Sequence, residues 1–392
     1  ANATVLLGSA TPSLESSHNV EQEKYRALFL KKRIFQPKLP EVQLINLKHC
    51  ERQKGSPFFS VELLEGIRQR LLKKEQVLIF LNRRGFAPLM ICSECNETHT
   101  CPNCSLSLVF HQAAGGLKCH HCDYFLKTPQ TCPFCDSIET PKVVGSGTEQ
   151  IEKELKNIFP EAEIMRMDRD ALHGKHALSK MQRLIHEQKV DIVVGTQLIT
   201  KGHDFPNVTL VGVILADLSL NLPDFRASEK IFQLLYQASG RSGRGEKKGE
   251  VVIQTYSHNN SVIKSASKLD MKEFYSKILE ERKELNYPPF SWLAKIEIIG
   301  IDRESVRNLA IKISKTLIGH YKGLDVLGPA PCYLEKLRKK FRYQLVCKSI
   351  KTIDPNGVRL HRFIRLNFTN EHKKFRHGTN RINIHFDPIS LI

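Results

Sequence analysis

Asp191-Ile-Val-Val-Gly195-Thr196-Gln197-Leu-Ile-Thr-Lys201-Gly202-His203-Asp204-Phe-Pro206 opens as a short apolar strand and turns at once into a polar, glycine-bearing loop. A strand without a polar face is buried on both sides, the habit of parallel sheets covered by helices. Open sheets of that kind take ligands beyond the carboxyl ends of their strands, which makes the loop a candidate site. Outward from it the pattern repeats. Val77 to Leu81 is wholly apolar and ends in Asn82-Arg83-Arg84-Gly85-Phe86, polar and basic. Ser60 is placed to cap the preceding helix, with Glu62 and Glu65 early and Lys73 and Lys74 late, matching the helix dipole at both ends. Thr148 is read as the cap of a helix over 149–159, followed by a strand over 164–167 and a helix near 176–186. A connector over 31–59 holds one strand near 42–45. Strands alternating with helices predict an α/β fold with a parallel sheet.

A second stretch, Gln237-Ala-Ser-Gly240-Arg241-Ser-Gly243-Arg244, closes a helix that starts near Ala227. Gly240 and Gly243 are expected to let the backbone turn sharply, so that two guanidiniums project from one helix end toward the upper, carboxyl rim of the sheet. Arginine is permanently charged and takes two phosphate oxygens at once, which suits charge developing on a transferring γ-phosphoryl group. The plain alternative is a surface Arg-Gly loop or simple anion site. Near the start, Gly8-Ser9-Ala10-Thr11-Pro12 is a small-residue turn after Val5-Leu6-Leu7, which reads as the end of a buried strand. The chain begins with Ala1 rather than Met, and the expectation is that it is the later part of a longer protein.

Between the two halves of this pattern stand four Cys-x-x-Cys knuckles: Cys92/Cys95, Cys101/Cys104, Cys119/Cys122 and Cys132/Cys135. Each presents two thiolates on one side of a tight turn, and two knuckles complete the tetrahedron that Zn²⁺ prefers. Eight cysteines therefore make two Cys₄ sites, and the knuckles can pair in three ways. Cys101-Pro-Asn-Cys104, then Leu-Ser-Leu-Val-Phe110, Gly115-Gly116 and Cys119-His-His-Cys122 read as a β-hairpin with a knuckle at each end. That points to a nested pairing, with Cys92, Cys95, Cys132 and Cys135 closing the outer site. A disulfide framework is the rival, but nothing at the chain start resembles a signal peptide. His99, His111, His120 and His121 lie among the knuckles and are read as facing solvent or DNA, since thiolates already fill both tetrahedra. Closed sites leave no position for a reactive water, so zinc here is structural.

The 392 residues carry 59 Lys and Arg against 41 Asp and Glu, a formal net charge of +18, so a polyanion is the natural partner. No apolar run is long enough for a transmembrane helix. Cys50, Cys332 and Cys347 read as buried or incidental thiols. From about Ser261 the character changes. A helix over 272–285, alternation over 293–299, a helix over 304–321 and strands near 344–347 and 381–386 suggest a small α+β domain. Lys336 to Arg342 and Arg359 to Arg376 are basic, with Phe341, Tyr343, Phe363, Phe368 and Phe375 interleaved. Such spacing serves either base stacking with phosphate neutralisation or a solvated face over core aromatics.

Together these stretches resemble the second RecA-like lobe of a superfamily 2 helicase, and Gly8-Ser9-Ala10-Thr11 is similar to the motif that closes the first lobe. The closer resemblance is to the PriA family of primosomal replication-restart helicases. It is carried by the knuckles at Cys92 to Cys135, Asn82 to Phe86, Lys201 to Pro206, Leu222-Pro-Asp-Phe-Arg-Ala227, Gln237 to Arg244, Tyr287-Pro-Pro-Phe290, Gly328-Pro-Ala-Pro331 and Phe386-Asp-Pro388, and covers nearly the whole chain. The resemblance implies an end of the first lobe over 1–36, a linker over 37–59, a second RecA-like lobe over 60–260 with a zinc-binding insertion over 88–141, and a carboxy-terminal α+β domain over 261–392. It implies that Arg241 and Arg244 act as arginine fingers on ATP, with Gln237, Gly202 and Asp204 lining the cleft. Thr196 and Gln197, with Arg83 and Arg84, would meet DNA, and Ser9 and Thr11 would couple nucleotide state to DNA grip.

By the same resemblance the full-length protein is an ATP- and Mg²⁺-dependent 3′→5′ DNA helicase with two zincs, a bacterial, cytoplasmic, nucleoid-associated monomer. Its partners would be forks, D-loops and single strands, single-strand-binding protein, and the primosome and helicase-loading proteins. The departure is that these 392 residues hold no Gly-x-x-x-x-Gly-Lys-Ser/Thr loop, without which the β- and γ-phosphates lose their cradle. This polypeptide alone is therefore expected not to hydrolyse ATP. A non-enzymatic zinc adaptor for nucleic acid would explain the knuckles and the charge, but not two motifs standing on one repeating sheet. A different superfamily 2 motor would share the lobe without reason for nested knuckles.

Overall fold

The apolar runs form strands, and their order follows from the burial they need. The computed structural model describes residues 3–30, 39–53, 56, 58–81, 89–92, 94–95, 99–104, 108–111, 115–119, 122–129, 131–132, 134–138, 142–144, 147–168, 171, 176–196, 199, 205–217, 220, 222–243, 247–369 and 380–392. In chain order the elements are α1 (Leu14–Glu21), β1 (Glu41–Asn46), α2 (Val61–Leu72), β2 (Gln76–Leu81), β3 (Leu89–Ile91), β4 (Val109–His111), β5 (Gly116–Lys118), β6 (Phe125–Lys127), β7 (Lys142–Val144), α3 (Thr148–Ile158), β8 (Ile164–Met167), α4 (Ala177–His186), β9 (Ile192–Gly195), β10 (Val208–Ile214), α5 (Ala227–Ser239), β11 (Glu250–Thr255), α6 (Ser261–Ser267), α7 (Met271–Glu284), β12 (Ser291–Gly300), α8 (Arg303–Leu317), β13 (Leu324–Leu337), β14 (Lys340–Ile350), α9 (Val358–Thr369) and β15 (Arg381–Phe386). They fall into two units: Ala1–Phe86 with Ser146–Leu222 and Arg226–Ile278, and Ala87–Gly145 with Pro223–Phe225 and Leu279–Ile392.

The first unit is a sheet in the order β1-β11-β10-β2-β9-β8, with every pairing parallel. β2, β9 and β10 are buried at every position, as strands covered on both faces must be. Ser60 accepts from the Leu63 N–H at 3.2 Å and caps α2 as its sequence position predicts. Thr148 does not cap α3. Gly147 takes the cap position without a side-chain bond, and the Thr148 hydroxyl donates to Asp168, a carboxylate 1% exposed. A buried carboxylate needs a donor more than a helix end that water can reach. Val5, Leu6 and Leu7 are exposed and outside any strand. A strand exists only against a neighbour, and among the described strands none pairs with them.

The two units divide within α7, after Ile278. The reason is burial. α6 sends Val262, Ile263 and Ala266 inside, and Phe274 of α7 stacks on Phe232 of α5 with ring centroids 3.9 Å apart.

The second unit holds two antiparallel sheets. The smaller, β6-β5-β4-β3-β7, is the insertion; β4 and β5 form the expected hairpin, and β3 pairs with β7 at its root. The larger, β13-β14-β12-β15, buries Ala294, Ile296 and Ile298 of β12 against Val306, Ala310 and Ile313 of α8 and Leu360, Ile364 and Phe368 of α9. On its other face Leu293 and Val346 meet Leu391, Phe225 and Tyr287. Both faces are covered, so the alternation read over 293–299 marks two packed faces rather than one wet one.

Tyr343, Phe363 and Phe368 belong to this core and are not free to stack on bases, while Phe375 lies outside the described residues. Phe341 is half-buried, with Lys336 Nζ 5.3 Å from its ring centroid. Buried charge on this sheet is paired. Glu297 is bonded to the Arg342 guanidinium, Lys295 Nζ donates to the Leu391 carbonyl at 2.8 Å, and Lys348 Nζ lies 3.0 Å from Asp325. Phe225 and Tyr287 meet here too. Phe225 stacks on Tyr287 at 5.0 Å, flanked by Arg282 over Phe225 and Lys348 over Tyr287.

Candidate functional sites

The knuckle hairpin sets its own geometry, because two tight turns at the ends of β4 and β5 bring their thiols to one point. The Sγ atoms of Cys101, Cys104, Cys119 and Cys122 lie within 4.8 Å of one another, and so do those of Cys92, Cys95, Cys132 and Cys135. This is the nested grouping. A tetrahedron with metal–sulfur bonds of about 2.3 Å has edges of about 3.8 Å. The measured edges are 3.5 Å for Cys101–Cys122, 3.7 Å for Cys92–Cys135 and 3.6 Å for Cys95–Cys132, so the donor set and its spacing fit structural zinc.

Backbone N–H groups of Cys95 and Glu94 aimed at Cys92 hold its thiol down to about 7, and the Tyr124 N–H does the same for Cys122. Burial pushes Cys101 up to about 12. Four crowded thiols cannot all ionise unaided, and a divalent cation held at their centre would favour the deprotonated form of all four. The inner cluster is the drier one. Cys101, Cys104 and Cys119 are buried, whereas Cys135 of the outer cluster is exposed. His99 is half-buried, and burial lowers its pKa, so it faces protein rather than solvent alone. The His111 side chain, His120 and His121 lie outside the described residues.

The second candidate site is built on α5. Gln237 Nε2 donates to the Thr11 hydroxyl at 2.8 Å, and one turn on stands Arg241, 8% exposed. The Thr11 N–H in turn donates to Ser9 Oγ at 3.0 Å. Three residues that sequence reasoning missed extend this contact. Arg226 Nη1 meets Glu15 at 2.6 Å, Glu229 accepts the Leu14 N–H at 3.0 Å, and Gln233 Nε2 reaches the Pro12 carbonyl at 3.4 Å. Arg226, Glu229, Gln233 and Gln237 are spaced three, four and four apart, one stripe along a helix face, and that spacing was the available signal.

Arg241 does not stand at the carboxyl rim. The Gly243 N–H donates to the Val208 carbonyl at 2.9 Å, and Ser242 Oγ lies 2.8 Å from the Thr209 carbonyl and 2.9 Å from that of Glu250. These carbonyls belong to the first residues of β10 and β11, so the arginine sits at the amino rim. A crossover helix leaves the carboxyl end of one parallel strand and returns to the amino end of the next, and its last turn must arrive there. Thr196, buried, sits at the opposite rim, just beyond β9. The expected glycine pair also divides. Gly243 has φ +65°, whereas Gly240 is helical at φ −67° and needs no glycine freedom. Arg83, Arg84, Gln197, Gly202, Asp204 and Arg244 lie outside the described residues.

A six-stranded parallel sheet covered by helices, a nested pair of Cys₄ clusters and an antiparallel carboxy-terminal sheet define the class of this chain. Two family profiles match it: Primosomal protein N C-terminal domain over residues 283–389, and PriA DNA helicase Cys-rich region (CRR) domain over 101–125. Replication restart protein PriA of Bacillus subtilis (strain 168) is 41% identical over 350 residues, covering 88% of this chain and 43% of that protein. The protein of that name from Rickettsia conorii is 40% identical over 344 residues, 88% of this chain and 53% of the relative. The one from Borreliella burgdorferi is 35% identical over 398 residues, 100% and 57%. The chain is similar to these replication restart proteins along 88% or more of its length and spans about half the length of the curated relatives it matches.

Proposed function

We propose that this chain supplies the second lobe, zinc insertion and carboxy-terminal domain of an ATP-dependent 3′→5′ DNA helicase of replication restart. In this reading the full-length protein binds stalled or branched forks, D-loops and single strands, meets single-strand-binding protein, and directs primosome assembly and reloading of the replicative helicase. It works as a cytoplasmic, nucleoid-associated monomer. ATP and Mg²⁺ are held on the first lobe. Arg241 and Arg244 complete the pocket as the γ-phosphoryl group transfers, and Gln237, Gly202 and Asp204 line it. Thr196 and Gln197, with Arg83 and Arg84, meet the DNA backbone, while Ser9 and Thr11 pass nucleotide state along the chain. Two zincs, one per Cys₄ cluster, are structural.

The observation that carries this reading is the Thr11–Gln237 hydrogen bond with Arg241 one turn beyond. A hydroxyl in the motif closing the first lobe is thereby held by the helix that bears the arginine, so a shift at either is felt at the other. The separation of Thr196 and Arg241 to opposite rims supports distinct DNA and nucleotide contacts on one rigid sheet. The test is Arg241→Ala in the full-length protein. DNA-stimulated ATP turnover should fall about a thousandfold or more, the scale of arginine-finger loss, while fork binding persists. Unchanged turnover would remove the arginine from the reaction.

A further inference from the structure

The inner Cys₄ cluster is not closed by the insertion alone. β13 and β14 form a long hairpin of the carboxy-terminal sheet, and the tip of that hairpin lies on the knuckles, within the same unit. The Arg338 N–H donates to Cys104 Sγ at 3.3 Å across 234 residues of sequence. The Lys339 N–H donates to the Asn103 carbonyl at 2.8 Å, and Lys336 Nζ to the Pro102 carbonyl at 2.8 Å. Leu337 packs on the cluster formed by Met90, Leu108, Leu117 and the inner cysteines. The knuckle loop Cys101–Cys104 is thus gripped at three successive residues, Pro102, Asn103 and Cys104, by Lys336, Lys339 and Arg338 of the tip and its flank.

The tip itself is an unusual turn. Leu337 pairs with Lys340, so Arg338 and Lys339 make a two-residue connection, and both have positive φ, +50° and +65°. Such turns favour Asn-Gly because side chains disfavour that backbone region. An Arg-Lys turn there carries local strain, of the kind that persists only where the surroundings over-determine the conformation. The knuckle contact supplies that determination.

From these contacts we infer that the inner metal site is a two-part site. Its ligands come from the insertion, and its outer support comes from the β13–β14 turn, with the Arg338 N–H as a positioning donor to the Cys104 thiolate. An N–H directed at a metal-bound sulfur orients the ligand and offsets its negative charge, and partners of this type change metal affinity by about 10–100-fold. Zinc in the inner cluster therefore fastens the carboxy-terminal hairpin to the insertion. At the outer cluster the Phe134 N–H reaches Cys132 at 3.5 Å from within the same knuckle, so the two zincs are expected to be inequivalent. The inference rests on the clusters holding zinc and is independent of ATP-driven unwinding.

The test uses the whole chain. Zinc release to a chelating dye is followed by absorbance, and amide exchange at Arg338 and Lys339 by mass spectrometry, with and without zinc. Two zincs leaving in separate phases are expected, with both amides protected until the slower zinc departs. Leu337→Asp should speed the slow phase about tenfold or more and leave the fast one alone. Arg338→Asn with Lys339→Gly retains the turn and its N–H groups and should release zinc as the parent does. Cobalt in place of zinc should show a shifted thiolate charge-transfer band for Leu337→Asp only. Amides at 338 and 339 that exchange equally with and without metal would overturn the inference, whatever the variant's stability. So would a slow phase indifferent to Leu337→Asp, or one lost in the Asn-Gly variant. Absence of zinc altogether would instead defeat the metal reading itself.

Discussion

Replacing Gly243 with alanine, and separately Gly240, splits a motif whose two glycines look interchangeable in the sequence. A Cβ at Gly243 would lie 2.5 Å from the Gly249 nitrogen and 2.7 Å from its Cα, and φ is +65°. The left-handed backbone costs an alanine about 1–2 kcal/mol. Neither backbone yields easily, because the Gly243 N–H holds the Val208 carbonyl at 2.9 Å and the Gly249 carbonyl accepts the Glu41 N–H at 3.1 Å. Forced repacking of that kind adds about 1–3 kcal/mol, for a total of about 2–5 kcal/mol. At Gly240 the added carbon meets only the Gln237 and Tyr236 carbonyl oxygens at 3.4 Å, with φ −67°. There alanine should be neutral or should stabilise by up to about 1 kcal/mol, through lost freedom in the unfolded chain. Native-state hydrogen exchange of β10 and β11 amides in urea reads the parallel-sheet unit directly. Equal losses in the two variants, or a larger loss for Gly240→Ala, would refute the backbone assignment of this motif.

Three further outcomes follow from the contacts described. A double-mutant cycle on Thr11→Val and Gln237→Ala should show coupling of about 0.5–1.5 kcal/mol in urea unfolding; strict additivity would deny the hydrogen bond. Burial raises the Glu297 carboxyl, but Arg342, Asn383 and Lys295 outweigh it and hold the folded value below the ordinary 4.5. Its contribution is therefore complete above pH 4.5 and disappears as pH falls through the depressed value, so Glu297→Gln should flatten the acid limb of the carboxy-terminal unit's stability curve. In the full-length protein Cys101→Ser should damage unwinding and partner assembly more than DNA-stimulated ATP turnover; equal loss of all three would signal collapse of the lobe.

Much of the architecture is written locally. The apolar runs of β2 and β9 have no polar face and are expected as buried parallel strands, and the spacing of Cys101, Cys104, Cys119 and Cys122 around a glycine turn already describes the inner hairpin. What stayed hidden depends on distant partners. The rim on which Arg241 sits follows from the direction of α5 across the sheet, which the motif does not contain. Thr148 looks like a cap until Asp168 is beside it. In α9, Leu360, Ile364 and Phe368 recur every four residues toward the core, but Arg359, Arg362 and Arg365 between them imitate a nucleic-acid stretch. The β13–β14 turn has no Asn-Gly to announce it, because its conformation is held by knuckles more than two hundred residues earlier.

In the proposed function the arginine of α5 completes a nucleotide pocket whose phosphate cradle lies on another lobe. The most direct measurement is ATP turnover by this purified 392-residue chain with forked DNA, in the presence and absence of a zinc chelator. No DNA-stimulated hydrolysis is expected under either condition, since these 392 residues hold no Gly-x-x-x-x-Gly-Lys-Ser/Thr loop to cradle the β- and γ-phosphates. Robust DNA-stimulated turnover that survives chelation would contradict it.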